Sequence, residues 1–224
     1  MVTAIEGATP QTWKVLLAAA VRIFDDLEDK GFGAPDVVLG GGTVLMLRLA
    51  HRLSNDIDLF LHDVQWLSLL TPRLNEFTST MAADYVEQAN SVKLIMPEGD
   101  IDFIAAGSVT DTAADDRIDF MGRSFALESS AEILAKKLLY RAEYLKPRDV
   151  FDLIAVAETD ADAAACAIAS ASSKRGILKR RIAHLMRLPA DELARDILPL
   201  GEFARIIPGM AERALGLVDG RDSP

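Results

Sequence analysis

Two aspartates, Asp56 and Asp58, are spaced so that both carboxylates can bind one cation. Side chains at positions i and i+2 of a strand point to the same face, so these two lie side by side while Ile57 and Leu59 point into a core. Mg²⁺ prefers such oxygen ligands, usually together with substrate phosphates and water. The alternative is that the two aspartates form the solvated face of an edge strand.

A glycine turn precedes the two aspartates and favours the metal site. Three glycines, residues 40–42, follow the β-branched run 37–39, and Thr43 is predicted to cap a helix over residues 44–50. Glycine lets the backbone approach a phosphate closely, and the N-terminus of a helix supplies N–H donors for it. The turn therefore offers a phosphate cradle beside the metal site.

The order of these residues resembles a known signature. Gly42-Thr43, a spacer of a dozen residues and then Asp56-Ile57-Asp58 resemble the Gly-Ser-spacer-Asp-x-Asp signature of the nucleotidyltransferase superfamily related to polymerase beta. The longer stretch GGGTVLMLRLAHRLSNDIDLF is similar to the first motif of the AbiEii/AbiGii family, the nucleotidyltransferase-like toxins of bacterial toxin–antitoxin and phage-abortive systems. Thr43 replaces the usual serine and keeps its hydroxyl.

A second motif of the same family follows in the right order. The segment from Glu132 to Leu153 reads EILAKKLLYRAEYLKPRDVFDL, and it is similar to the family's lysine-bearing helix followed by an Arg-Asp-x-x-Asp segment. The resemblance covers roughly residues 37–157. It implies an α+β fold in which a small mixed β-sheet forms a nucleotidyltransferase lobe over residues 1–128 and a helical lobe over residues 129–224 completes the cleft.

The resemblance also implies roles for individual residues. Asp56 and Asp58 would hold Mg²⁺ on a nucleoside triphosphate, while the turn through Gly41, Gly42 and Thr43 would cradle its β and γ phosphates. A lysine, Lys137, would bind the phosphates of the nucleotide. Arg48, His51 and Arg52 are further candidates for phosphate contacts, and Arg52 is alternatively an ion-pair partner that holds the loop.

A third carboxylate is expected on a neighbouring strand. Residues 91–96 and 101–104 flank a turn-rich tetrapeptide and predict a β-hairpin, in which Asp102 stands between two apolar residues that face the other side. Asp102 matches the third carboxylate of the nucleotidyltransferase fold better than Asp100, which is assigned to the turn. It would complete the metal site or activate the acceptor hydroxyl. An exposed strand face is the alternative.

Two helices carry the remaining candidates. A capping-box pattern at residues 129–132 opens a helix predicted to run to about Tyr144, on which Lys137 and Arg141 share a face. The adjacent Lys136 is expected to be a solvated surface residue.

Pro147 opens the next helix and places Asp149 and Asp152 on one side. They would activate the acceptor hydroxyl or complete the metal shell; a solvated face, or a partner for Arg148, is the alternative.

Other elements are predicted to build the scaffold. Thr9 is expected to cap a helix that starts at Pro10 and ends at Lys30, with an apolar stripe as core. Helices are also predicted over residues 64–70 and 72–83, with short strands over 117–120 and 124–127. Three or four helices are expected after residue 160, and a frayed end over 216–224.

Composition bounds the class of protein. The 224 residues are 50% hydrophobic and 26% charged, with no apolar run of membrane-spanning length and no signal-peptide pattern, so a bacterial cytoplasmic protein is expected. The single cysteine, Cys166, is expected to be buried, and the three histidines are too scattered for a zinc site. A net charge of −10 opposes broad capture of nucleic acid.

Any RNA site must then be a local patch. The dense basic stretch over residues 174–187 is the candidate, with a solvated helix face as the alternative. The expected function is a Mg²⁺-dependent nucleotidyltransferase toxin that modifies an RNA such as tRNA, with an antitoxin as partner. Modification of a small hydroxylated molecule, or a silent binding module of the same fold, are the competing hypotheses.

Overall fold

A computed structural model describes residues 11–220 and contains one mixed β-sheet. In the described residues the strand order is β3-β4-β5-β2-β1-β7-β6. The pairs β2/β5 and β1/β7 are parallel, and the other neighbours are antiparallel. The strands are β1 (Val37–Gly40), β2 (Ile57–Leu61), β3 (Asp84–Gln88), β4 (Ser91–Met96), β5 (Gly99–Ala105), β6 (Ala114–Phe120) and β7 (Arg123–Glu128).

Helices precede, interrupt and follow the sheet, so the predicted α+β class is confirmed. The predicted lobe boundary falls between β7 and the first helix of the C-terminal part; the division itself stays a prediction. The helices are α1 (Thr12–Asp29), α2 (Gly41–Leu49), α3 (Trp66–Leu70), α4 (Glu76–Met81), α5 (Ser130–Tyr140), α6 (Pro147–Thr159), α7 (Ala161–Ser170), α8 (Arg175–Leu185), α9 (Ala190–Ala194) and α10 (Met210–Asp219).

The two faces of the sheet differ because side chains alternate along each strand. Ile57, Leu59, Ile101 and Phe103 are fully buried. This face is covered by α1, whose apolar stripe packs on it; the ring of Phe24 lies 6.1 Å from that of Phe103. The intervening positions of β2 and β5 therefore point to the opposite face, where the candidate site lies.

Several sequence predictions need correction at the edges. β3 was not predicted, because its residues are mostly exposed at the edge of the sheet and show no apolar alternation. Helix α10 continues through Asp219, so fraying from Gly216 is wrong for residues 216–219. Cys166 is exposed, not buried. The predicted start at Thr9 and Pro10 lies outside the described residues.

Crossing a membrane requires a helix that is both long and apolar. No helix within residues 11–220 meets both requirements.

Candidate active site

A row of facing positions crosses four strands and carries the candidate carboxylates. Lys93 on β4 pairs with Asp102 on β5, Asp102 pairs with Asp58 on β2, and Asp58 pairs with Gly40 on β1. The Lys93 ammonium lies 2.6 Å from an Asp102 oxygen and 3.0 Å from an Asp100 oxygen. The sheet thus holds two carboxylates side by side with a lysine at one end of the row.

The segment before β2 is hydrogen-bonded to strand β5 and to helix α2. Asp56 lies one residue before the strand, and its carboxylate accepts a hydrogen bond from the backbone N–H of Asp100 at 3.2 Å. The hydroxyl of Thr43 donates to the backbone carbonyl of Asp56. Thr43 is fully buried, so its hydroxyl holds this segment in place and does not reach the cleft.

Helix α2 begins within the glycine turn, so the prediction that Thr43 caps this helix is wrong. The helix starts at Gly41 with Gly40 in the N-cap position, so Thr43 lies inside the first turn and is not the cap. Gly41 has φ +67°, and a Cβ there would lie 1.8 Å from an Asp58 oxygen. A Cβ on Gly42 would lie 2.7 Å from Arg52. Only glycine lets the turn pass this close to the charged side chains.

A buried ion network joins α5, α6 and the segment after α2. Arg52 donates two hydrogen bonds to Asp152, from Nε at 2.6 Å and from Nη2 at 2.8 Å. His51 lies 2.7 Å from the same carboxylate, and Lys137 forms an ion pair with it. Burial acts to raise the pKa of Asp152, but the charges of Arg52 and Lys137 and the hydrogen bonds hold it well below its ordinary value. Asp152 is therefore an anion that orients two cations.

Asp149 is bound up at the N-terminus of α6. Its carboxylate accepts from the backbone N–H of Lys146 at 3.0 Å. The other oxygen lies 3.5 Å from Lys137 and 3.6 Å from Arg141. Asp149 thus places a negative charge in the first turn of the helix, where the positive end of the helix dipole stabilises it.

Glu128 and Lys136 form a second buried pair that the sequence did not reveal. Glu128 is 2% exposed and forms an ion pair with Lys136, whose ammonium also lies 3.7 Å from the centroid of the Phe60 ring. The expectation that Lys136 is a solvated surface residue is therefore wrong. Burial raises the pKa of Glu128 to about 7, against the opposing charge of Lys136 and with help from Glu132 and Asp58.

Many of these groups line one cleft of about 740 Å³. Among the described residues that line it, seven are basic and four acidic, although the chain as a whole has a net charge of −10. Of the predicted site residues, those lining the cleft are Gly41, Gly42, Arg52, Asp56, Asp58, Asp102 and Lys137. Those that do not line it are Thr43, Arg48, His51, Asp149 and Asp152.

The carboxylates suit a divalent cation that is held together with a substrate. Burial raises the pKa of Asp102 to about 6, against Lys93, and the negative charges of Asp58 and Asp56 add to the shift. Such crowding is relieved by a cation. Within residues 11–220 no three His, Cys, Asp or Glu side chains form a ready metal cluster. The donor set fits Mg²⁺ bound through one or two carboxylates plus phosphates, which is its usual mode in proteins.

The fold is that of nucleotidyltransferases. It is similar to the solved structure of the antibiotic-resistance factor ANT(2'')-Ia, at 15% identity and a TM-score of 0.53, over 79% of this chain and 100% of that chain. An antigenic nucleotidyltransferase-like protein from Paracoccidioides brasiliensis matches at 20% identity and a TM-score of 0.43, over 77% of this chain and 92% of that chain. No curated protein matches the chain.

One family model matches most of the chain. The model of the family described as nucleotidyl transferase AbiEii toxin, type IV toxin–antitoxin system, matches residues 22–215. The chain belongs to this family and is a nucleotidyltransferase. Membership implies a nucleotide substrate and an antitoxin partner.

Proposed function

We propose that the protein transfers a nucleotide from a nucleoside triphosphate to an RNA acceptor such as a tRNA, and that it requires Mg²⁺. The observation that supports this most directly is the facing pair Asp58 and Asp102 beside the Gly41 turn, inside a cleft where basic lining residues outnumber acidic ones by seven to four. Nucleotidyl transfer demands mainly the positioning of phosphates and the neutralisation of their charge.

Each group at the cleft has a part in this proposal. Asp56 and Asp58 would hold the cation, which would supply positive charge to neutralise the triphosphate and the pyrophosphate that leaves. The backbone at Gly41 and Gly42 approaches the phosphates closely, because no side chain intervenes. Arg52 and Lys137 supply fixed positive charge.

The acceptor hydroxyl needs a carboxylate that the substrate can reach. Asp102 lines the cleft, whereas Asp149 and Asp152 do not. We therefore assign to Asp102 the activation of the acceptor or the completion of the metal shell. Asp152 is a positioning residue that fixes Arg52 and Lys137, and Asp149 supports Lys137 from the start of α6.

The decisive experiment incubates the protein with each radiolabelled nucleoside triphosphate, Mg²⁺ and total cellular RNA. We expect a discrete small RNA to become labelled, and we expect neither the Asp56→Ala/Asp58→Ala variant nor a sample with chelator to label it. Calorimetry on the same variant tests whether nucleotide binding needs the pair. Nucleotide binding by the variant equal to that of the parent would refute the metal assignment.

A small hydroxylated molecule is the second candidate acceptor. The net charge of −10 favours it, and the antibiotic-resistance factor named above shares the fold. In the same incubation this alternative predicts label only in a small-molecule fraction. A short reading frame that encodes a DNA-binding protein beside the gene would instead favour the toxin hypothesis, because that protein would be the antitoxin partner. The toxin would act in the cytoplasm, where RNA and nucleoside triphosphates are available.

A further inference from the structure

Two exposed tyrosines line the same cleft as the carboxylates. Tyr140 is 53% exposed and Tyr144 is 60% exposed, and the hydroxyl of Tyr144 donates to the backbone carbonyl of Tyr140 at 3.0 Å. Neither ring belongs to the hydrophobic core. Aromatic side chains at the edge of a cleft offer a surface on which nucleic-acid bases stack, because every base has a flat apolar face.

Basic side chains accompany the tyrosines on the loop of residues 141–146. Arg141 and Lys146 line the cleft next to them, and Lys146 is exposed to solvent. Arg148, at the start of α6, also lines the cleft. Aromatic rings interleaved with cations are the combination that binds single-stranded nucleic acid, through stacking and phosphate contacts together.

The same loop contacts the basic helix α8 on its other side. The guanidinium of Arg181 donates to the backbone carbonyl of Leu145 at 2.9 Å. A second cavity, of about 440 Å³, is lined by Glu143 of the loop and by Arg180, Arg181 and His184 of α8. The loop therefore lies between the cleft and the basic stretch that stands out in the sequence.

We propose that the loop of residues 141–146 and helix α8 form a binding track for the single-stranded 3′ end of the acceptor RNA. Bases stack on Tyr140 and Tyr144, and phosphates contact Lys146 and Arg180. This inference rests on the RNA acceptor of the proposed function. A small acceptor would fill the cleft alone and would have no use for cations on α8, whereas an RNA that enters the cleft must leave it along a basic surface.

The stacking surface is tested by fluorescence anisotropy with a labelled single-stranded RNA of about 12 nucleotides, a length within the range of single-strand sites. We expect Tyr140→Ala/Tyr144→Ala to weaken binding at least about tenfold, the loss typical of one stacked base. Tyr140→Phe/Tyr144→Phe keeps both rings and should bind within about twofold of the parent. Lys14→Ala, an exposed cation on α1 across the sheet, is the matched control and should bind as the parent does.

The phosphate contacts are tested by the salt dependence of the same binding. Each lost phosphate contact on a single strand reduces the slope of log K against log salt by about 0.7. We expect this reduction for Arg180→Ala and for Lys146→Ala, and no change for Lys14→Ala. Thermal melts accompany each variant, so that a loss of binding caused by unfolding is recognised.

The outcomes separate this inference from the proposed function. If the parent labels RNA in the transfer assay but the tyrosine variants bind and label it as the parent does, the track is wrong and the proposed function stands. If the alanine pair loses nucleotide binding as strongly as RNA binding, the tyrosines hold the base of the triphosphate and the track is overturned. If the parent transfers label only to a small molecule, the RNA acceptor itself is refuted.

Discussion

At the scale of single residues, Gly41 is constrained twice. Its backbone has φ +67°, and a Cβ would overlap the carboxylate of Asp58. Gly33 shares the first constraint, with φ +78°, but has no atom within 4 Å of an added Cβ. Substitution of Gly33 should therefore cause backbone strain alone, whereas substitution of Gly41 should cause backbone strain and also displace Asp58.

We expect Gly41→Ala to abolish Mg²⁺-dependent nucleotide binding, because Asp58 must move away from the turn. Gly33→Ala should cost about 1 kcal/mol of stability through its left-handed backbone and leave nucleotide binding unchanged. Calorimetry and urea unfolding on both variants check this. Equal nucleotide affinities for the two variants would show that the turn does not position Asp58 for binding.

The neighbouring lysines of α5 are both buried but have different partners. Lys137 joins Asp152 and the cleft, and we expect Lys137→Ala to lower turnover at least about 100-fold, as the loss of a fixed charge beside reacting groups does. Steady-state assays with the labelled acceptor measure this. Unchanged turnover would exclude Lys137 from the reaction.

Lys136 pairs with buried Glu128, so its removal should act mainly on stability. Lys136→Ala should lower the free energy of unfolding by roughly 2 kcal/mol, because Glu128 loses the cation that compensates its burial. In a Glu128→Gln background the same change should cost much less. Additive losses in this double-mutant cycle would show that the two side chains do not depend on each other.

At the scale of elements, Asp152 joins α6 to α5 and to the segment after α2. Glu158, on the same helix, also binds two arginines, Arg205 and Arg213, but at the surface. Asp152 and Glu158 are thus each paired with two cations, Asp152 in the interior and Glu158 at the surface.

We expect Asp152→Ala to lower the free energy of unfolding by about 3 to 5 kcal/mol, because it leaves Arg52 and Lys137 without their buried counter-ion. Glu158→Ala should cost less than about 1 kcal/mol, since exposed ion pairs contribute little. Urea unfolding of both variants provides the comparison. Similar costs would mean that the Asp152 network is not what holds these elements together.

At the scale of the whole molecule, the titration of Glu128 should make stability depend on pH. Its pKa is raised to about 7 in the folded protein, whereas glutamate in an unfolded chain titrates near about 4.3. Between these values the folded protein keeps a proton that the unfolded chain has lost. The contribution of Glu128 to the free energy of unfolding therefore falls as pH rises from about 4 to about 7, and it does not change further above about pH 7.

We expect Glu128→Gln to remove this contribution, which amounts to about 4 kcal/mol across the window. Urea unfolding of parent and variant, at several pH values and with chelator present, measures the difference between their stabilities. A difference that stays constant with pH would contradict a raised pKa for Glu128.

The sequence by itself determined those features whose cause is local. The apolar run ending at three glycines predicts a strand and a tight turn, alternation predicts that Asp56 and Asp58 point to the same face, and the apolar spacing of residues 10–30 predicts the first helix. These patterns depend on backbone geometry within a few residues. The mixed sheet, the nucleotidyltransferase class and the family were predicted from the resemblance of two motifs to a known family, and they are confirmed; the catalytic roles stay predictions.

Only the tertiary structure decided which polar groups meet. Lys93 faces Asp102, Lys136 reaches Glu128, and Asp152 is enclosed by Arg52 and Lys137, through contacts that depend on strand register and on how α5 and α6 lie against the sheet. A helical wheel places Lys136 about 100° from Lys137 but does not show that both directions are covered. Burial and partners arise from elements distant in sequence, and no local pattern contains them.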